Sequence, residues 1–232
     1  MVRNEIERYD LEALRGAVAY QRWVVDSFAP VLRGRVAEVG AGIGNFTRWI
    51  APHAENVVAL ETDPEMCAAI RELGIENVEV VQGRLELYAF TANSRFEGAV
   101  LIDVLQLYKD DTAAIRAAGR LLRVGGHLCA LVPAHSWLYG SLDDRYGHYR
   151  RYDKERMVKL FDSAGLVVEE LRYFNPLGAL AWLAAARMAR RPRLDPMLVR
   201  LSERVFVPAS RLLEGTVKPP FGQSLLAVGR LR

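Results

Sequence analysis

The chain has 232 residues, of which 51% are hydrophobic, which is enough for one α/β domain with a sizeable core but too few for two domains of ordinary size. Cys67 and Cys129 fall within a predicted helix and a predicted strand, and no Cys or His spacing resembles a zinc site. Composition therefore excludes a secreted domain held together by disulfide bonds, and it predicts that both cysteines are free thiols that bind no metal. The net charge of +3 conceals a basic region, because residues 187–232 carry ten Lys or Arg and three Asp or Glu.

Residues 1–34 precede the predicted sheet and are expected to form an N-terminal helical cap. Apolar side chains recur here at helical spacing, interrupted by Gly16, which predicts one or two helices packed over the edge of the sheet. Acidic residues close to the N-terminus and the lack of an apolar signal core argue against secretion, so we expect a cytoplasmic protein.

A glycine-rich turn follows the first predicted strand. Residues 35–44 read Arg-Val-Ala-Glu-Val-Gly-Ala-Gly-Ile-Gly, and the small and β-branched residues at its start are typical of a strand buried on both faces. Helical spacing resumes at Asn45, which places Gly40, Gly42 and Gly44 in a strand-to-helix turn. Without Cβ atoms, these glycines let the backbone turn sharply and approach a bound ligand closely.

Two residues of this segment distinguish between ligands. A dinucleotide-binding loop reads GxGxxG, but this chain has Asn45 after Gly44, so the match is GxGxG. Glu38 would repel a phosphate but suits the amino group, or a bound water, of an amino-acid-like cofactor, so a sulfonium cofactor fits better than NAD. The segment resembles the first motif of the class I S-adenosylmethionine-dependent methyltransferases, and this resemblance implies that Glu38 and the three glycines bind S-adenosylmethionine.

The second predicted strand, residues 56–60, ends in Glu61, about twenty residues beyond the glycines. An acid at this position can hydrogen-bond both ribose hydroxyls of a nucleoside, so Glu61 and the adjacent Thr62 are predicted cofactor contacts. The alternative for Glu61 is a solvated strand end. Asp63 is expected to cap the next helix, with Pro64 at its first position.

The third predicted strand, residues 77–82, is followed by Gly83 and Arg84. The methyltransferases that this chain resembles commonly have an acid there, which holds the adenine amino group, whereas Arg84 can only donate hydrogen bonds. Stacking of Arg84 on the purine, the backbone N–H of Leu85 or the carboxylate of Glu86 is expected to replace that contact.

The fourth predicted strand, residues 96–103, delivers Asp103 to the edge that carries Glu38 and Glu61, where ligands of open parallel sheets bind. Asp103 is expected to contact the methionyl part of the cofactor or to act as a base, and the alternative is a helix N-cap or loop anchor. Gln106 departs from the Glu-His or similar pair that the family often carries here, so a histidine proton acceptor is missing at this point.

The remaining elements complete an α/β pattern. Asp111 is expected to cap a helix that runs to Leu122, and further predicted elements are a strand at 127–133, a helix at 152–163 and strands at 166–173 and 224–231. Alternation of strands and helices indicates βαβ units and a parallel sheet. The resemblance implies a Rossmann-like open, mostly parallel seven-stranded sheet with helices on both faces and an antiparallel last strand beside the sixth, in a single domain over residues 1–232.

Residues 134–152, which we call the lid, follow the fifth strand at the carboxyl edge and are rich in His, Tyr, Trp and Arg. A long segment without clear periodicity is more often functional than idle, so we expect the lid to close over the methyl acceptor. A neutral His135 or His148 could take a proton from an attacking hydroxyl or amine. Four further side chains are expected to bind the acceptor: Tyr139, Arg150, Arg151 and Tyr152.

Each of these four has a structural alternative. Guanidinium forks hold carboxylates or phosphates in two-point contacts, but the two arginines could equally form ion pairs with Asp143, Asp144 or Asp153. The tyrosines could be loop anchors. In methyltransferases that this chain resembles, a Tyr of the N-terminal helix often points at the cofactor carboxylate, and Tyr20 is expected to do so here.

A helical insertion is expected at residues 175–215, before the last strand. Its apolar run, residues 177–186, is shorter than the about 20 residues that a membrane-spanning helix needs. It could pack on the domain or on a second subunit, or residues 177–215 could lie against a membrane or a lipid-like substrate, which would make a cytoplasmic protein membrane-associated. A nucleic-acid partner is not expected, because the arginines are not interleaved with stacking aromatics.

These features together predict an enzyme that transfers the methyl group of S-adenosylmethionine to a small-molecule or lipid-like acceptor by direct in-line displacement. The alternative is a non-catalytic S-adenosylmethionine-binding regulatory or partner module, which Arg84 and Gln106 favour. A nicotinamide-dependent oxidoreductase is disfavoured by Asn45 and Glu38.

Overall fold

A computed structural model describes residues 9–92, 95–180, 182 and 196–232. Seven strands lie in these ranges: Arg35–Val39 (β1), Asn56–Glu61 (β2), Val78–Gln82 (β3), Phe96–Ile102 (β4), Leu122–Pro133 (β5), Leu166–Phe174 (β6) and Ser224–Leu231 (β7). The helices are Val18–Phe28 (α1), Thr47–Ile50 (α2), Pro64–Glu72 (α3), Leu85–Thr91 (α4), Asp111–Leu121 (α5), Ser141–Tyr146 (α6), Lys154–Ser163 (α7), Pro196–Leu201 (α8) and Val207–Thr216 (α9). Residues 9–14 and 176–180 are also helical.

The seven strands form one sheet in the order β3-β2-β1-β4-β5-β7-β6. Strands β1 to β5 pair in parallel, whereas β7 lies antiparallel between β5 and β6. The expected sheet, with its antiparallel last strand inserted beside the sixth, is therefore confirmed. Parallel strands that share a direction bring their carboxyl ends to one edge, and this edge carries the glycine loop, Glu61 and Asp103.

Both faces of the sheet are covered, because successive strand residues point to opposite sides. In β1, Ala37 and Val39 pack with α4, α5 and α7, whereas Val36 packs with α1, α2 and α9. The same alternation separates Leu225 from Leu226 in β7. Cys67 and Cys129 are buried free thiols, as the sequence predicts.

Some boundaries differ from the expectation, among them those of β5, α5 and α7. β5 begins at Leu122 rather than at residue 127, since Leu122 pairs with Phe96 and an irregularity in the ladder absorbs the following residues. Asp110, not Asp111, caps α5, because its side chain accepts a hydrogen bond from the Ala113 amide. The helix expected at 152–163 begins at Lys154.

The N-terminal cap and the insertion fold against each other. Glu203, in the π-helical turn Ser202–Phe206 that joins α8 to α9, accepts the backbone N–H groups of Ala19 and Tyr20 at 2.6 and 3.1 Å. These orphan donors of the first turn of α1 are thus satisfied by a side chain that lies 184 residues beyond Ala19 in the sequence. The parts of the cap at residues 1–8 and of the insertion at 181 and 183–195 lie outside the described residues.

Candidate active site

The glycine loop joins β1 to α2 with a left-handed backbone at all three glycines. Gly40, Gly42 and Gly44 have φ of 68°, 57° and 82°. A Cβ on Gly40 would lie 2.6 Å from Cγ2 of Val104, so the end of β4 packs directly on the loop. The Gly40 amide donates to the Leu60 carbonyl at 2.8 Å, which fixes the loop beside the end of β2.

Glu61 ties the glycine loop to the turn after β2. Its Oε2 accepts the Gly42 amide at 2.9 Å, while Oε1 accepts the amides of Thr62 and Asp63 at 2.6 and 3.0 Å. The residue is buried and the carboxylate is held by backbone donors, so Glu61 is not a solvated strand end. The structure thus brings Glu61, Thr62 and the glycine loop together, and their contact with a cofactor stays a prediction.

Glu38 places a buried carboxylate beneath the same loop. Its Oε2 is buried and has no hydrogen-bond partner of regular geometry in the described ranges, and the same holds for the Thr47 hydroxyl. Burial raises the pKa of Glu38 to about 8, the nearby Thr47 hydroxyl opposes this shift, and the charge of Glu61 adds to it. A buried carboxyl oxygen left unpaired is costly, and a cationic amino group is a partner that would stabilise the ionised form and relieve this cost.

Asp103 lies at the end of β4 with a φ of 53°. The residue keeps some solvent exposure at the carboxyl edge of the sheet, where open parallel sheets have their ligand-binding crevice. Desolvation by the surrounding protein raises the pKa of its carboxyl group to about 6, against the opposing charges of His148 and Arg151. The following short helix, Leu105–Leu107, has no side-chain N-cap. Asp103 is therefore not the cap of this helix.

Tyr20 lies on α1 and packs at the end of β6, and its contact with a cofactor stays a prediction. Its ring meets that of Phe174, at the end of β6, edge-on at 6.2 Å. Burial raises the pKa of the Tyr20 phenol, and the charge of Asp103 adds to the shift, so the two side chains lie within electrostatic range of each other. The structure thus brings Tyr20 and Asp103 together.

Arg84 lies apart from these groups. Its side chain is 79% exposed and its nearest ion-pair contact is Glu86, at 3.8 Å. Leu85, at the first position of α4, is buried. The arginine is therefore free to move against a purine but is not held in place for it.

The lid is folded rather than irregular. It contains the short helix Ser136–Leu138 and α6, and Tyr152 pairs with Ala134 to close it at its base. Asp143 lies at its centre with no exposed surface, and it accepts hydrogen bonds from Arg151 Nε at 3.0 Å and from the Gly140 amide at 3.0 Å, with His148 Nδ1 2.8 Å away.

Two of the four predicted acceptor-binding residues lie inside the protein. The Arg151 guanidinium is paired with Asp143 and donates to the Ala134 carbonyl at 3.2 Å, so the structural alternative applies to it. Tyr152 is fully buried and cannot reach an acceptor without unfolding of the lid base. Neither side chain lies on the surface of the crevice, which corrects the expectation.

The other two predicted acceptor contacts reach solvent. Arg150 pairs with Asp111 at 3.0 Å and donates to the Tyr108 and Lys109 carbonyls, which anchors the lid to the loop after β4. The Tyr139 hydroxyl lies 2.8 Å from a carboxylate oxygen of Asp144 and from the His148 carbonyl. Contact of Tyr139 or Arg150 with an acceptor stays a prediction.

His135 and His148 have different surroundings. His135 stacks on Tyr173 with a centroid distance of 4.5 Å, and its Nε2 accepts the Gly222 amide at 3.5 Å. Burial and the charge of Arg151 lower its pKa, which favours the neutral imidazole. His148 uses Nδ1 toward Asp143 and makes no hydrogen bond through Nε2 within the described residues. Of the two, His148 therefore has the freer proton-accepting nitrogen.

Sequence reasoning missed two features of the site. From the sequence, Asp143 is only one of several ion-pair partners for the lid arginines, although it organises the whole lid. Gln106 is fully buried, both polar atoms of its amide lack a partner in the described chain, and its backbone carbonyl accepts the Tyr149 amide at 2.8 Å. The sequence around Asp143 and Gln106 has no pattern that would show whether these polar side chains are buried or exposed.

The comparison with known proteins identifies the sheet and its loop. Residues 37–130, from β1 to β5, match the protein family described as "Methyltransferase domain". Residues 37–130 are therefore assigned to the methyltransferase domain family. That range includes the last three residues of β1, the glycine loop, Glu61 and Asp103, which are the groups that meet at the carboxyl edge.

Relatives and solved structures agree with this methyltransferase domain. The chain is 26% identical to 2-methyl-6-phytyl-1,4-hydroquinone methyltransferase 1 of Oryza sativa subsp. japonica over 147 residues, which are 61% of its length. It is 33% identical to a ubiquinone biosynthesis O-methyltransferase of Xanthomonas oryzae pv. oryzae over 97 residues, which are 40% of its length. It spans only 44% and 41% of these relatives. A SAM-dependent methyltransferase from Archaeoglobus fulgidus shares the fold, with a TM-score of 0.65 at 12% identity over 94% of this chain and 96% of that one.

The described part of the methyltransferase domain holds neither a metal centre nor a membrane-spanning helix. No group of three or more His, Cys, Asp or Glu side chains among the described residues is placed to hold a metal ion. No helix among them combines the length and apolar character needed to cross a membrane.

Proposed function

We propose that this protein transfers the methyl group of S-adenosylmethionine to a small-molecule or lipid-like acceptor by direct in-line displacement. The observation that carries the proposal is the pair of buried carboxylates at the glycine loop, Glu38 with an unpaired oxygen and Glu61 with backbone donors. A cofactor with both an amino group and a ribose would use both acids. NAD has no such amino group next to its pyrophosphate, which Glu38 would repel.

The residues that would hold the cofactor follow from their positions. Gly40, Gly42 and Gly44 leave room for the backbone to approach it, and Glu61 with Thr62 would bind the ribose hydroxyls. Asp103 and Tyr20, which lie close together, would contact the methionyl part, while Arg84 and the Leu85 amide would meet the adenine. When bound, S-adenosylmethionine supplies a methyl group that is already activated by the adjacent sulfonium.

The chain's own residues then orient the acceptor and accept its proton. Alignment of the two reactants supplies much of the acceleration in such a displacement. His148 is our first candidate for the proton acceptor, ahead of Asp103 and of His135, whose Nε2 already accepts the Gly222 amide. Tyr139 and Arg150 would line the acceptor side of the crevice. We place the reaction in the cytoplasm, in keeping with the buried free thiols.

The acceptor class is suggested by relatives and by the surface of the insertion. Two relatives are named for a phytylated hydroquinone and for ubiquinone biosynthesis. Exposed apolar side chains recur along α8, the π-helical turn and α9, beside Arg200 and Arg204: Leu201, Val205 and Leu212. Apolar residues flanked by basic ones suit a lipid tail or an anionic membrane surface. We therefore propose peripheral lipid contact through residues 177–215.

Flotation with vesicles tests the lipid contact. Wild-type protein should float with vesicles that contain anionic phosphatidylglycerol, because the vesicles offer both an apolar interior and negative charge. A double variant that combines Val205→Ser with Leu212→Ser should reduce the floated fraction. Equal flotation of wild type and variant, or none of wild type, would favour packing of the insertion on the domain or on a second subunit.

A methyl-transfer assay tests the function itself. Purified protein is incubated with methyl-labelled S-adenosylmethionine and hydroxylated, amino and lipid-like acceptors, and labelled product is counted. The control Glu72→Gln, an exposed residue of α3, should retain the activity that Glu61→Gln loses. Cofactor binding without transfer to any acceptor would favour the non-catalytic module instead.

A further inference from the structure

We infer that Asp143 is a positioning residue that holds His148 ready to accept a proton, and that the methyl acceptor is therefore a hydroxyl compound. This inference rests on the proposed function. Nδ1 of His148 lies 2.8 Å from Oδ1 of Asp143, whose side chain has no exposed surface. The side chain of His148 is itself largely covered, so its orientation is set by this contact.

Asp143 can hold the imidazole in one tautomer because it stays ionised. Burial alone would raise its pKa, but the hydrogen bonds from His148 and Arg151 and the charge of Arg151 outweigh burial and lower it. A carboxylate anion only accepts hydrogen bonds, so Nδ1 of His148 must carry the proton. When Nδ1 carries the only ring proton, Nε2 keeps its lone pair, and it makes no hydrogen bond in the part of the chain that is described.

The imidazole is held at the catalytic edge of the sheet. The amide of the next residue, Tyr149, donates to the Gln106 carbonyl at 2.8 Å, just after β4. The charged groups around His148 are Asp143 and Arg151 inside the lid and Asp103 on the crevice floor, while the ring of Tyr146 lies 5.8 Å away.

A base of this kind selects the type of nucleophile. A neutral amine attacks through its lone pair before it loses a proton, whereas a hydroxyl is a poor nucleophile unless its proton leaves during attack. In the step, the O–H proton passes to Nε2, an oxygen lone pair forms the new bond to the methyl carbon, and the electron pair of the broken C–S bond stays on sulfur. The products are a methyl ether, S-adenosylhomocysteine and an imidazolium that returns its proton to solvent.

The test compares acceptors that carry either oxygen or nitrogen at the reacting position, and hydroxyl acceptors whose O–H groups differ in acidity. The probes are 1,4-hydroquinones with a prenyl tail, chloro- and nitro-substituted analogues with more acidic hydroxyls, and the matching anilines. The wild type should methylate oxygen in the hydroquinones and leave the anilines unmodified. His148→Gln should lower kcat by about 100-fold or more and Asp143→Asn by at least about tenfold, with the affinity for S-adenosylhomocysteine unchanged. The matched controls His53→Gln and Asp162→Asn, both on the surface, should behave as the wild type.

The dependence on acidity separates proton removal from a structural role. The loss in His148→Gln should shrink as the hydroxyl becomes more acidic, and it should vanish for analogues that are ionised at the assay pH. If Asp143→Asn does not fold, His148→Gln still decides the question, as does ¹⁵N NMR of the wild type, which should show the proton on Nδ1.

The outcomes distinguish this inference from the proposed function. Methylation at nitrogen or carbon, an equal loss for all hydroxyl acidities, or a proton on Nε2 would overturn the inference. So would binding of S-adenosylhomocysteine without methylation of any hydroquinone. Failure of the wild type to bind S-adenosylhomocysteine would instead overturn the proposed function.

Discussion

Substitution of Gly40 by Ala should be far more damaging than the same change at Gly74. Both glycines have left-handed backbones, with φ of 68° and 62°, so both variants carry the left-handed penalty of an alanine, about 1 kcal/mol. A Cβ at Gly74 meets nothing within 4 Å, whereas at Gly40 it would lie 2.6 Å from Val104 Cγ2. Overpacking of this kind costs about 2 kcal/mol more. Gly40→Ala should therefore lose about 3 kcal/mol and Gly74→Ala about 1 kcal/mol.

Thermal unfolding followed by circular dichroism measures the difference. At about 3 °C per kcal/mol for a chain of this size, Tm should fall by about 9 °C for Gly40→Ala and by about 3 °C for Gly74→Ala. Adding Val104→Ala should make the Gly40 substitution less costly, with a coupling of about 1 to 2 kcal/mol. Equal Tm losses at the two glycines, or strict additivity with Val104→Ala, would refute the packing of β4 on the loop.

Three further expectations follow from the site. Because burial raises the pKa of Glu38 to about 8, the folded chain binds more protons than the unfolded chain between about pH 4.5 and pH 8. The free energy of unfolding should therefore fall as pH rises through that range. Urea titrations should show that the free energy of unfolding of Glu38→Gln depends less on pH than that of the wild type. Arg84→Asp should change the calorimetric affinity for S-adenosylhomocysteine but not abolish it, since Arg84 is exposed and weakly paired; complete loss would contradict this. His135→Asn should lower the methyl-transfer rate less than His148→Gln does. A larger loss for His135→Asn would indicate that His135, not His148, is the proton acceptor.

The sheet and the cofactor side of the site could be predicted because each depends on local sequence. Buried strands are continuous apolar runs, the GxGxG turn needs glycine at left-handed positions, and Asp63 with Pro64 is a helix start that the Asp63 side chain confirms by capping the Glu65 and Met66 amides. The predicted N-cap of α5 is wrong by one residue, because Asp110 and Asp111 are adjacent and either side chain could cap the helix.

The acceptor side could not be predicted in the same way, because its side chains are arranged by contacts between distant parts of the chain. Arg151 and Arg150 are adjacent, yet one turns inward to Asp143 and the other outward to Asp111. The sequence offers both arginines several carboxylates, and only the path of the lid selects between them. The docking of Glu203 on α1 likewise depends on how the insertion folds back.

Isothermal titration of S-adenosylhomocysteine into the wild type and Glu61→Gln tests the central claim most directly. One molecule should bind per chain, and Glu61→Gln should bind at least about tenfold more weakly, because hydrogen bonds to a charged group contribute about 1.5 to 3 kcal/mol. Equal affinity of the two proteins, or a wild type that binds NAD but not S-adenosylhomocysteine, would contradict the account.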